Sequence, residues 1–296
     1  MYMQQQNILI TGANGQLGNC LRDAAAPYLN RHQFFYTDIA ELDITDTAAV
    51  EHYITDNQIN TIINAAAYTA VDRAEDEVEA AYRLNRDAVR NLAGAARRHN
   101  CRLVHISTDY VFAGEACHPY TVDAPRAPKS VYGRTKAEGE DAIVTSGCNA
   151  TIIRTSWLYS EYGSNFVKTM MRIGAERAEV NIVCDQVGGP TYAGDLAHAI
   201  LDLLSHDTIE AGTCIYHFAN EGTASWYDLA VAVMEMAGLP CHVNPVLTSQ
   251  YPTKASRPAY SIFDLNRIKK EIHFPIPYWR ESLKLTINKL RIDKKN

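Results

Sequence analysis

Short, almost fully apolar runs alternate with longer segments of mixed polarity through the first half of the chain. The apolar runs predict β-strands over residues 7–11, 33–37, 61–65, 102–107 and 150–155. The segments between them predict helices over residues 16–26, 48–57, 78–100 and 132–146. Strands that are apolar on both faces and separated by helices are typical of a parallel sheet covered on both sides. The pattern therefore predicts an α/β fold built on a doubly wound parallel sheet.

The alternation loosens after Ser156. Here the pattern predicts helices over residues 166–177, 194–205, 225–238 and 278–291, and strands over residues 180–184 and 213–219. Ser225 and Gly238 are the expected N-cap and C-cap of one of these helices, and frequent prolines predict an irregular course over residues 240–258.

The looser second half predicts a smaller C-terminal domain that interleaves with the first. We expect the larger domain to comprise residues 1–155 and 190–212, and the smaller one residues 156–189 and 213–296. In doubly wound sheets, ligands bind beyond the carboxyl ends of the strands. We therefore expect a ligand cleft between the two domains.

Charge and composition exclude several classes of protein. The 296 residues include 28 Lys and Arg against 34 Asp and Glu, and the formal net charge of -6 argues against a nucleic-acid scaffold. No run approaches the roughly 20 apolar residues that a membrane span needs. Seven widely spaced cysteines without a CxxC pair argue against a zinc site or a disulfide framework. We expect a cytoplasmic protein without nucleic-acid or membrane partners.

The first predicted strand is followed by the loop GANGQLG, which places glycines at positions 12, 15 and 18. Glycine at this spacing lets the backbone turn tightly, approach a pyrophosphate and pack a helix on a strand. The helix that follows offers free N–H groups and a partial positive charge to phosphates. A glycine triad alone is a weak indication, but its strand–turn–helix context predicts a dinucleotide site of the Rossmann type.

Asp38 lies twenty residues after Gly18, directly behind the second predicted strand. A carboxylate there can bind the adenosine ribose hydroxyls and repel a 2′-phosphate. Residues 39–41 contain no Arg or Lys, so we expect NADH or NADPH with a preference for NADH. Asp38 could instead be only a surface turn residue. Asp43 and Ile44 are weaker candidates for contacts to the adenine.

Tyr132 and Lys136 form a YxxxK pattern on a predicted helix, where residues four apart share a face. An ammonium beside a tyrosine favours the phenolate and lowers its pKa, bringing the hydroxyl closer to the acidity that a general acid needs. Thr108 and Asp109 close the fourth predicted strand, where Thr108 could orient a carbonyl and Asp109 could accept a hydroxyl. The alternative is that both only cap the end of that strand.

Together with NAAAYTAVD, ISTDYVF, YGRTKAEGE, RTSWLY and DQVGGPT, these motifs resemble the extended short-chain dehydrogenase/reductase family, and within it the dTDP-4-dehydrorhamnose reductase branch. The resemblance covers nearly the whole chain. It implies NAD(P)H-dependent reduction of the C4 keto group of a dTDP-linked deoxysugar, with Thr108, Tyr132 and Lys136 as the catalytic set. The implied cofactor contacts are Gly12, Gly15, Gln16, Leu17, Gly18, Asp38, Asp43, Ile44, Ala67, Tyr68, Thr69, Ile106, Tyr132 and Lys136. The implied sugar-nucleotide contacts are Thr108, Asp109, Trp157, Asn165, Gln186 and Arg257.

Some members of this family are linked to a Mg²⁺ site of carboxylates at a dimer interface. One of those ligands lies two residues after the last glycine of the loop, and that position here is Cys20. A thiol is a poor ligand for a hard ion, so the sequence argues against this metal and this particular dimer. A homodimer formed through another surface stays open.

Two other functions are compatible with the motifs. The resemblance extends to a non-catalytic branch, the regulatory subunit of methionine adenosyltransferase, which still binds a dinucleotide. The chain could also act on another nucleotide sugar as a reductase or an epimerase. An epimerase would keep its cofactor and consume no NADH, which distinguishes it from a reductase.

Overall fold

A computed structural model describes residues 5–205 and 212–293. The strands are β1 (Gln6–Thr11), β2 (His32–Thr37), β3 (Thr61–Asn64), β4 (Arg102–Thr108), β5 (Ala150–Thr155), β6 (Leu158–Tyr159), β7 (Glu179–Val183), β8 (Val187–Gly188), β9 (Thr191–Tyr192), β10 (Thr213–Phe218), β11 (Ala224–Ser225), β12 (His242–Val246) and β13 (Tyr260–Ser261). The helices are α1 (Gln16–Ala24), α2 (Thr47–Asp56), α3 (Val71–Ala74), α4 (Val78–Tyr82), α5 (Ala88–Arg98), α6 (Val131–Ser146), α7 (Phe166–Glu176), α8 (Ala193–Ser205), α9 (Trp226–Ala237) and α10 (Trp279–Asp293).

Six parallel strands form the central sheet in the order β10-β5-β4-β3-β1-β2, which confirms the predicted Rossmann-type fold. The sequence pattern groups the strand at residues 213–219 with the smaller domain. In the structure β10 is an edge strand of the central sheet, pairing with β5 from Thr213 opposite Ala150 to Phe218 opposite Thr155. Helix α8 packs against one face of the central sheet. It forms the crossover that leads the chain to β10 at the edge of the sheet.

The two faces of the sheet carry separate cores because successive strand residues point to opposite sides. Ile8 and Ile10 of β1 pack with α1 and α8, whereas Leu9 packs with α2 and α5. This double burial explains why the strands read as uninterrupted apolar runs.

A third core lies outside the sheet, where α7, α9 and α10 pack together with β7 and β12. Ser225 caps α9 in a capping box with Asp228, and Gly238 ends it with a φ of 62°, as predicted. The irregular course predicted for residues 240–258 is wrong in part, because β12 pairs in parallel with β7. This pair has only two strands, so Pro245 can lie at an edge where its missing N–H is tolerated.

The helix predicted over residues 78–100 contains a π-helical turn at Arg83–Asp87, between α4 and α5. Within residues 5–205 and 212–293, no helix is both long and apolar enough to span a membrane. The predicted domain ranges also include residues 1–4, 206–211 and 294–296, which lie outside the described residues.

Candidate active site

A cavity of about 1090 Å³ opens at the carboxyl ends of the central strands. Its size exceeds the roughly 300–1,000 Å³ of most small-molecule pockets, so it can hold a dinucleotide and a second ligand together. Most of the residues predicted for the site line it, namely Gly12, Gly15, Gln16, Leu17, Asp38, Asp43, Ile44, Ala67, Tyr68, Thr69, Ile106, Thr108, Asp109, Tyr132, Lys136, Trp157 and Asn165. Gly18, Gln186 and Arg257 are not part of the lining.

The glycine loop has the shape that a pyrophosphate requires. Gly12 has a φ of 67°, and an added Cβ would lie 2.7 Å from the Cα of Ala66. An added Cβ at Gly18 would lie 2.5 Å from the Gly12 carbonyl oxygen, so this glycine allows close packing of α1 rather than ligand contact. The N-cap Gly15 has no side chain to cap the helix, which leaves first-turn N–H groups available for phosphate oxygens.

The end of the cavity beside β2 is acidic. The Asp38 carboxylate accepts from the backbone N–H groups of Asn14 (3.1 Å) and Ile39 (2.9 Å), which fix its position at the end of β2. Glu41 accepts from the backbone N–H of Asp38 over 2.9 Å and adds a second negative charge. Hydrogen bonds from Thr45 hold the pKa of Asp43 below its usual range.

Tyr132 lies in the first turn of α6, which Ser130 caps by accepting from the Gly133 N–H. Burial of the phenol raises the pKa of Tyr132 to about 12, although a hydrogen bond with Thr108 lowers it. The expectation that Lys136 lowers this pKa is wrong in this arrangement, because desolvation dominates. Tyr132 therefore remains a protonated phenol at neutral pH, which is the form that can donate a proton.

Lys136 follows one turn later and is buried. Its Nζ donates to the carbonyl oxygen of Ile106 over 2.6 Å and lies 3.1 Å from Nε2 of His105. Burial lowers the pKa of Lys136 to about 8, against the opposing charge of Glu140. His105 is a site residue that the sequence pattern missed, because a histidine inside an apolar strand reads as ordinary core.

Asp109 is buried beside Thr108, whose Oγ1 donates to Asp109 Oδ1 over 2.9 Å. Burial raises the pKa of Asp109 to about 6, and the hydrogen bond from Thr108 opposes this shift. Asp109 Oδ2 forms no hydrogen bond of normal geometry within the described residues, and the nearby Ser261 hydroxyl helps to hold down the pKa of the carboxyl group. A buried acceptor of this kind at a cavity wall can receive a ligand hydroxyl.

An aromatic pair forms part of the cavity wall. Trp157, with a φ of 48°, stacks on Trp226, a lining residue that sequence reasoning missed. The indole is also close to Gly188, where an added Cβ would lie 2.4 Å from Trp157 Cε2. The sequence gives no signal for this group, because its members are brought together only by tertiary folding.

The remaining predicted contacts have clear structural partners. Asn165 caps α7, and its Nδ2 donates to Gln16 Oε1 over 2.8 Å, which joins α7 to the glycine loop. Gln186 is buried away from the cavity and donates to Thr248 Oγ1 over 3.1 Å. Arg257 forms a two-point ion pair with Asp72, with a shortest N–O distance of 2.6 Å. Neither side chain lines the cavity, and their contacts with the sugar nucleotide stay a prediction.

Asn85, in the π-helical turn, is another residue that sequence reasoning missed. Its Oδ1 accepts from the Tyr68 N–H over 2.8 Å, and its Nδ2 donates to the Tyr68 carbonyl and to Thr135 Oγ1 over 3.1 Å each. These bonds fix the cavity-lining segment 67–69 against α6. π-helical turns often occur at functional sites.

Cys20 is a buried residue of α1, and burial raises the pKa of its thiol to about 12. Among the residues that the structure describes, no group of three or more His, Cys, Asp or Glu side chains is arranged to hold a metal ion. A neutral thiol does not suit a site for Mg²⁺.

Comparison with known proteins supplies the family context. A family model described as "RmlD substrate binding domain" matches residues 6–292. The chain is 43% identical over 288 residues to a dTDP-4-dehydrorhamnose reductase of Aggregatibacter actinomycetemcomitans, covering 94% of this chain and 97% of the relative. It is 39% identical over 279 residues to the spore coat polysaccharide biosynthesis protein SpsK of Bacillus subtilis, with 94% and 95% coverage. A crystal structure of dTDP-4-dehydrorhamnose reductase from Bacillus anthracis in complex with NADP has a TM-score of 0.91 and 38% identity, with 97% and 100% coverage.

Proposed function

Because the chain belongs to the RmlD substrate binding domain family, we propose that it reduces the C4 keto group of dTDP-4-dehydro-β-L-rhamnose to give dTDP-L-rhamnose. The observation that carries the proposal is the phenol of Tyr132, which lines the same cavity as Thr108 and the glycine loop. A proton donor next to a dinucleotide site is what carbonyl reduction requires.

The glycine loop, the N-terminus of α1 and segment 67–69 would hold a nicotinamide dinucleotide. When bound, this group supplies the hydride for the carbonyl carbon. Lys136 would hold the nicotinamide ribose, and Asp38 would accept from the adenosine ribose hydroxyls. We propose NADH as the preferred form, since the Asp38 and Glu41 carboxylates at the end of β2 disfavour a 2′-phosphate.

Tyr132 supplies the proton. As the carbonyl carbon is reduced, the Tyr132 hydroxyl gives its proton to the carbonyl oxygen and becomes a phenolate, which then recovers a proton from solvent. Thr108 orients the carbonyl, and its hydroxyl would stabilise the developing phenolate by turning its single hydrogen from Asp109 to Tyr132. Donation by a positioned acid is worth roughly 10²–10⁴-fold in rate.

The sugar would contact Asp109 and Trp157. The unpartnered Asp109 Oδ2 suits a sugar hydroxyl, and the indole of Trp157 offers an apolar surface to a deoxysugar. Asn165 would act through Gln16 rather than through the sugar. Gln186 and Arg257 are left out of the proposed contact set, because their side chains are engaged elsewhere.

The proposal extends to the organisation of the chain. Residues 1–155 and 190–212 form the dinucleotide-binding domain, together with the sheet strand 213–218, and the rest forms the sugar-nucleotide domain. We place the protein in the cytoplasm. All seven cysteines are free, which suits a reducing compartment.

The deciding experiment is NADH and NADPH oxidation, followed by absorbance, with dTDP-4-dehydrorhamnose as substrate. Oxidation by the wild-type protein that falls at least 100-fold in Tyr132→Phe supports the proposal, provided that NADH binding is retained. Tight dinucleotide binding without oxidation would overturn it and favour a regulatory, non-catalytic protein. Conversion of another nucleotide sugar without net NADH consumption would identify an epimerase.

A further inference from the structure

Arg83 brings a positive charge to the wall of the cavity. It is the first residue of the π-helical turn between α4 and α5, and it is exposed. Arg83 and Lys136 are the two basic residues that line the cavity in the described part of the chain. Lys136 already donates to the Ile106 carbonyl, whereas Arg83 forms no hydrogen bond or ion pair with any residue that the structure describes. The Arg83 guanidinium is therefore available to a ligand.

Arg83 lies at the end of the cavity beside β2. Hydrogen bonds from Thr45 are the main cause of the lowered pKa of Asp43, and the positive charge of Arg83 contributes to it. Asn91 of α5 donates from Nδ2 to the carbonyl oxygens of Ile44 and Thr45 over 3.3 and 3.0 Å. These bonds hold the loop that follows β2 against α5, directly beyond the turn that carries Arg83.

Two segments give this end of the cavity apolar surface. Ile39 and Leu42 lie in the loop that follows β2, and Ala80 and Leu84 lie on either side of Arg83 in the sequence. Ile39 is 73% exposed, so a ligand group that covers it removes apolar surface from water. Apolar surface from both segments suits a flat aromatic base.

A guanidinium suits the same ligand group. Its planar, delocalised charge stacks on aromatic rings, and arginine planes stack on unpaired bases in nucleic-acid complexes. A phosphate suits this end less well, because the carboxylates of Asp38 and Asp43 line it and repel negative charge. The N–H groups at the N-terminus of α1 are available to phosphates instead. These contrasts favour the base of a dinucleotide, rather than its phosphates, as the partner of Arg83.

We propose that Arg83 is a binding residue for the adenine base of the dinucleotide, with its guanidinium covering the base at the end of the cavity beside β2. Adenine is common to NADH and NADPH, so this role does not depend on the choice between them. The nearby Asp43 carboxylate attracts the guanidinium and keeps it at this end of the cavity. This role deepens the proposed function, since it rests on the same dinucleotide site.

The first test compares dinucleotide binding by the wild-type protein and by Arg83→Gln in fluorescence titrations without a sugar substrate. We expect the Kd for NADH to rise about 5- to 20-fold in the variant, as for the loss of one cation–π contact. The Kd for NADPH should rise by the same factor. Unchanged NADH binding in Arg83→Gln would overturn the proposal, and weaker binding of NADPH alone would assign Arg83 to the 2′-phosphate instead.

The matched control for this titration is Arg90→Gln. Arg90 is an exposed arginine of α5 that pairs with Asp87 at 3.1 Å and is not part of the cavity lining. Both Kd values of this variant should equal those of the wild type. A rise as large as that in Arg83→Gln would show that any lost positive charge on this helix weakens binding, and would overturn a specific contact with the base.

The second test separates the base from the phosphates, with parts of the cofactor that compete with bound NADH. Adenosine has the base and no phosphate, and its Ki should rise in Arg83→Gln by the same factor as the Kd for NADH. Nicotinamide mononucleotide has a phosphate and no adenine, and its Ki should not change. The opposite pattern would show that Arg83 binds phosphate. A wild-type protein that binds no dinucleotide would refute the proposed function as well, whereas equal binding by both proteins refutes the role of Arg83 alone.

Discussion

The indole rings of Trp157 and Trp226 are stacked with their centroids 3.6 Å apart and their planes 7° apart. Trp157 adopts this position with a φ of 48°, a left-handed backbone conformation that costs a bulky residue about 1–3 kcal/mol. Strain of this kind persists only where the surroundings impose it. The stack with Trp226 and the close approach of Gly188 are the surroundings that do so.

We therefore expect Gly188→Ala to displace the Trp157 indole, because an added Cβ would lie 2.4 Å from its Cε2 atom. The KM for the keto sugar should rise about tenfold, equivalent to about 1.4 kcal/mol, while the KM for the dinucleotide stays within twofold. Steady-state kinetics with each substrate varied in turn measure both values. The matched control is Gly94→Ala on α5, where the nearest atom, 3.2 Å away, belongs to the flexible Arg98 side chain. An unchanged KM for the sugar in Gly188→Ala would remove Trp157 from the proposed sugar site.

Cofactor choice is the second prediction. Replacing Asp38 by Asn removes the charge that repels a 2′-phosphate, while the amide oxygen can still accept one backbone N–H. The ratio of kcat/KM for NADH to that for NADPH should fall roughly tenfold or more. Glu41→Gln, which removes the second charge from the same end of β2, should cause a smaller change. A ratio that is the same in wild type and Asp38→Asn would contradict a role for this carboxylate in cofactor choice.

Local patterns were sufficient to predict much of the fold and half of the site. The glycine loop, Asp38 and the Tyr132–Lys136 pair each depend on residues close together in sequence, at the ends of elements with clear hydrophobic periodicity. The five strands of the first half were predicted because burial on both faces makes them uninterrupted apolar runs. The strand β12 was missed because Pro245 suggests a loop, although a two-stranded edge accommodates it.

The rest of the site depends on contacts that no local pattern encodes. Trp226 and Gly188 meet Trp157 only after the second half has folded onto the sheet. Arg257 has the chemistry to bind a diphosphate, but Asp72 is the partner that folding brings to it. The pKa of Tyr132 depends on desolvation, which a sequence spacing cannot measure.

The third prediction concerns stability and pH. The pKa of Asp109 in the folded protein is raised to about 6 from an ordinary value of 3.8, so the folded state binds this proton more tightly than the unfolded state does. The associated stabilisation is complete below about pH 4 and is lost as the pH rises through 6, a change of about 3 kcal/mol. Asn at this position does not titrate. The free energy of unfolding of Asp109→Asn minus that of the wild type should therefore rise between pH 4 and 6. Above pH 6 this difference should stay constant, as measured by urea unfolding. A pH-independent difference between the two proteins would contradict the raised pKa.

The last prediction concerns the ion pair that fastens α6 to β5. Glu140 and Arg154 are 1% and 2% exposed, and the guanidinium binds the carboxylate through two bonds of 2.7 and 2.9 Å. Removing one partner leaves a buried charge uncompensated, so Glu140→Leu should lose about 3–5 kcal/mol in the free energy of unfolding.

Replacing both partners removes both buried charges together. We therefore expect Arg154→Met, added to Glu140→Leu, to restore part of the lost stability rather than to reduce it further. Denaturant unfolding of the wild type, both single variants and the double variant gives the coupling energy. Losses that simply add would show that the two charges are stabilised independently of each other. Partial recovery would show that the two charges are coupled and that most of the loss in each single variant comes from the buried charge left unpaired.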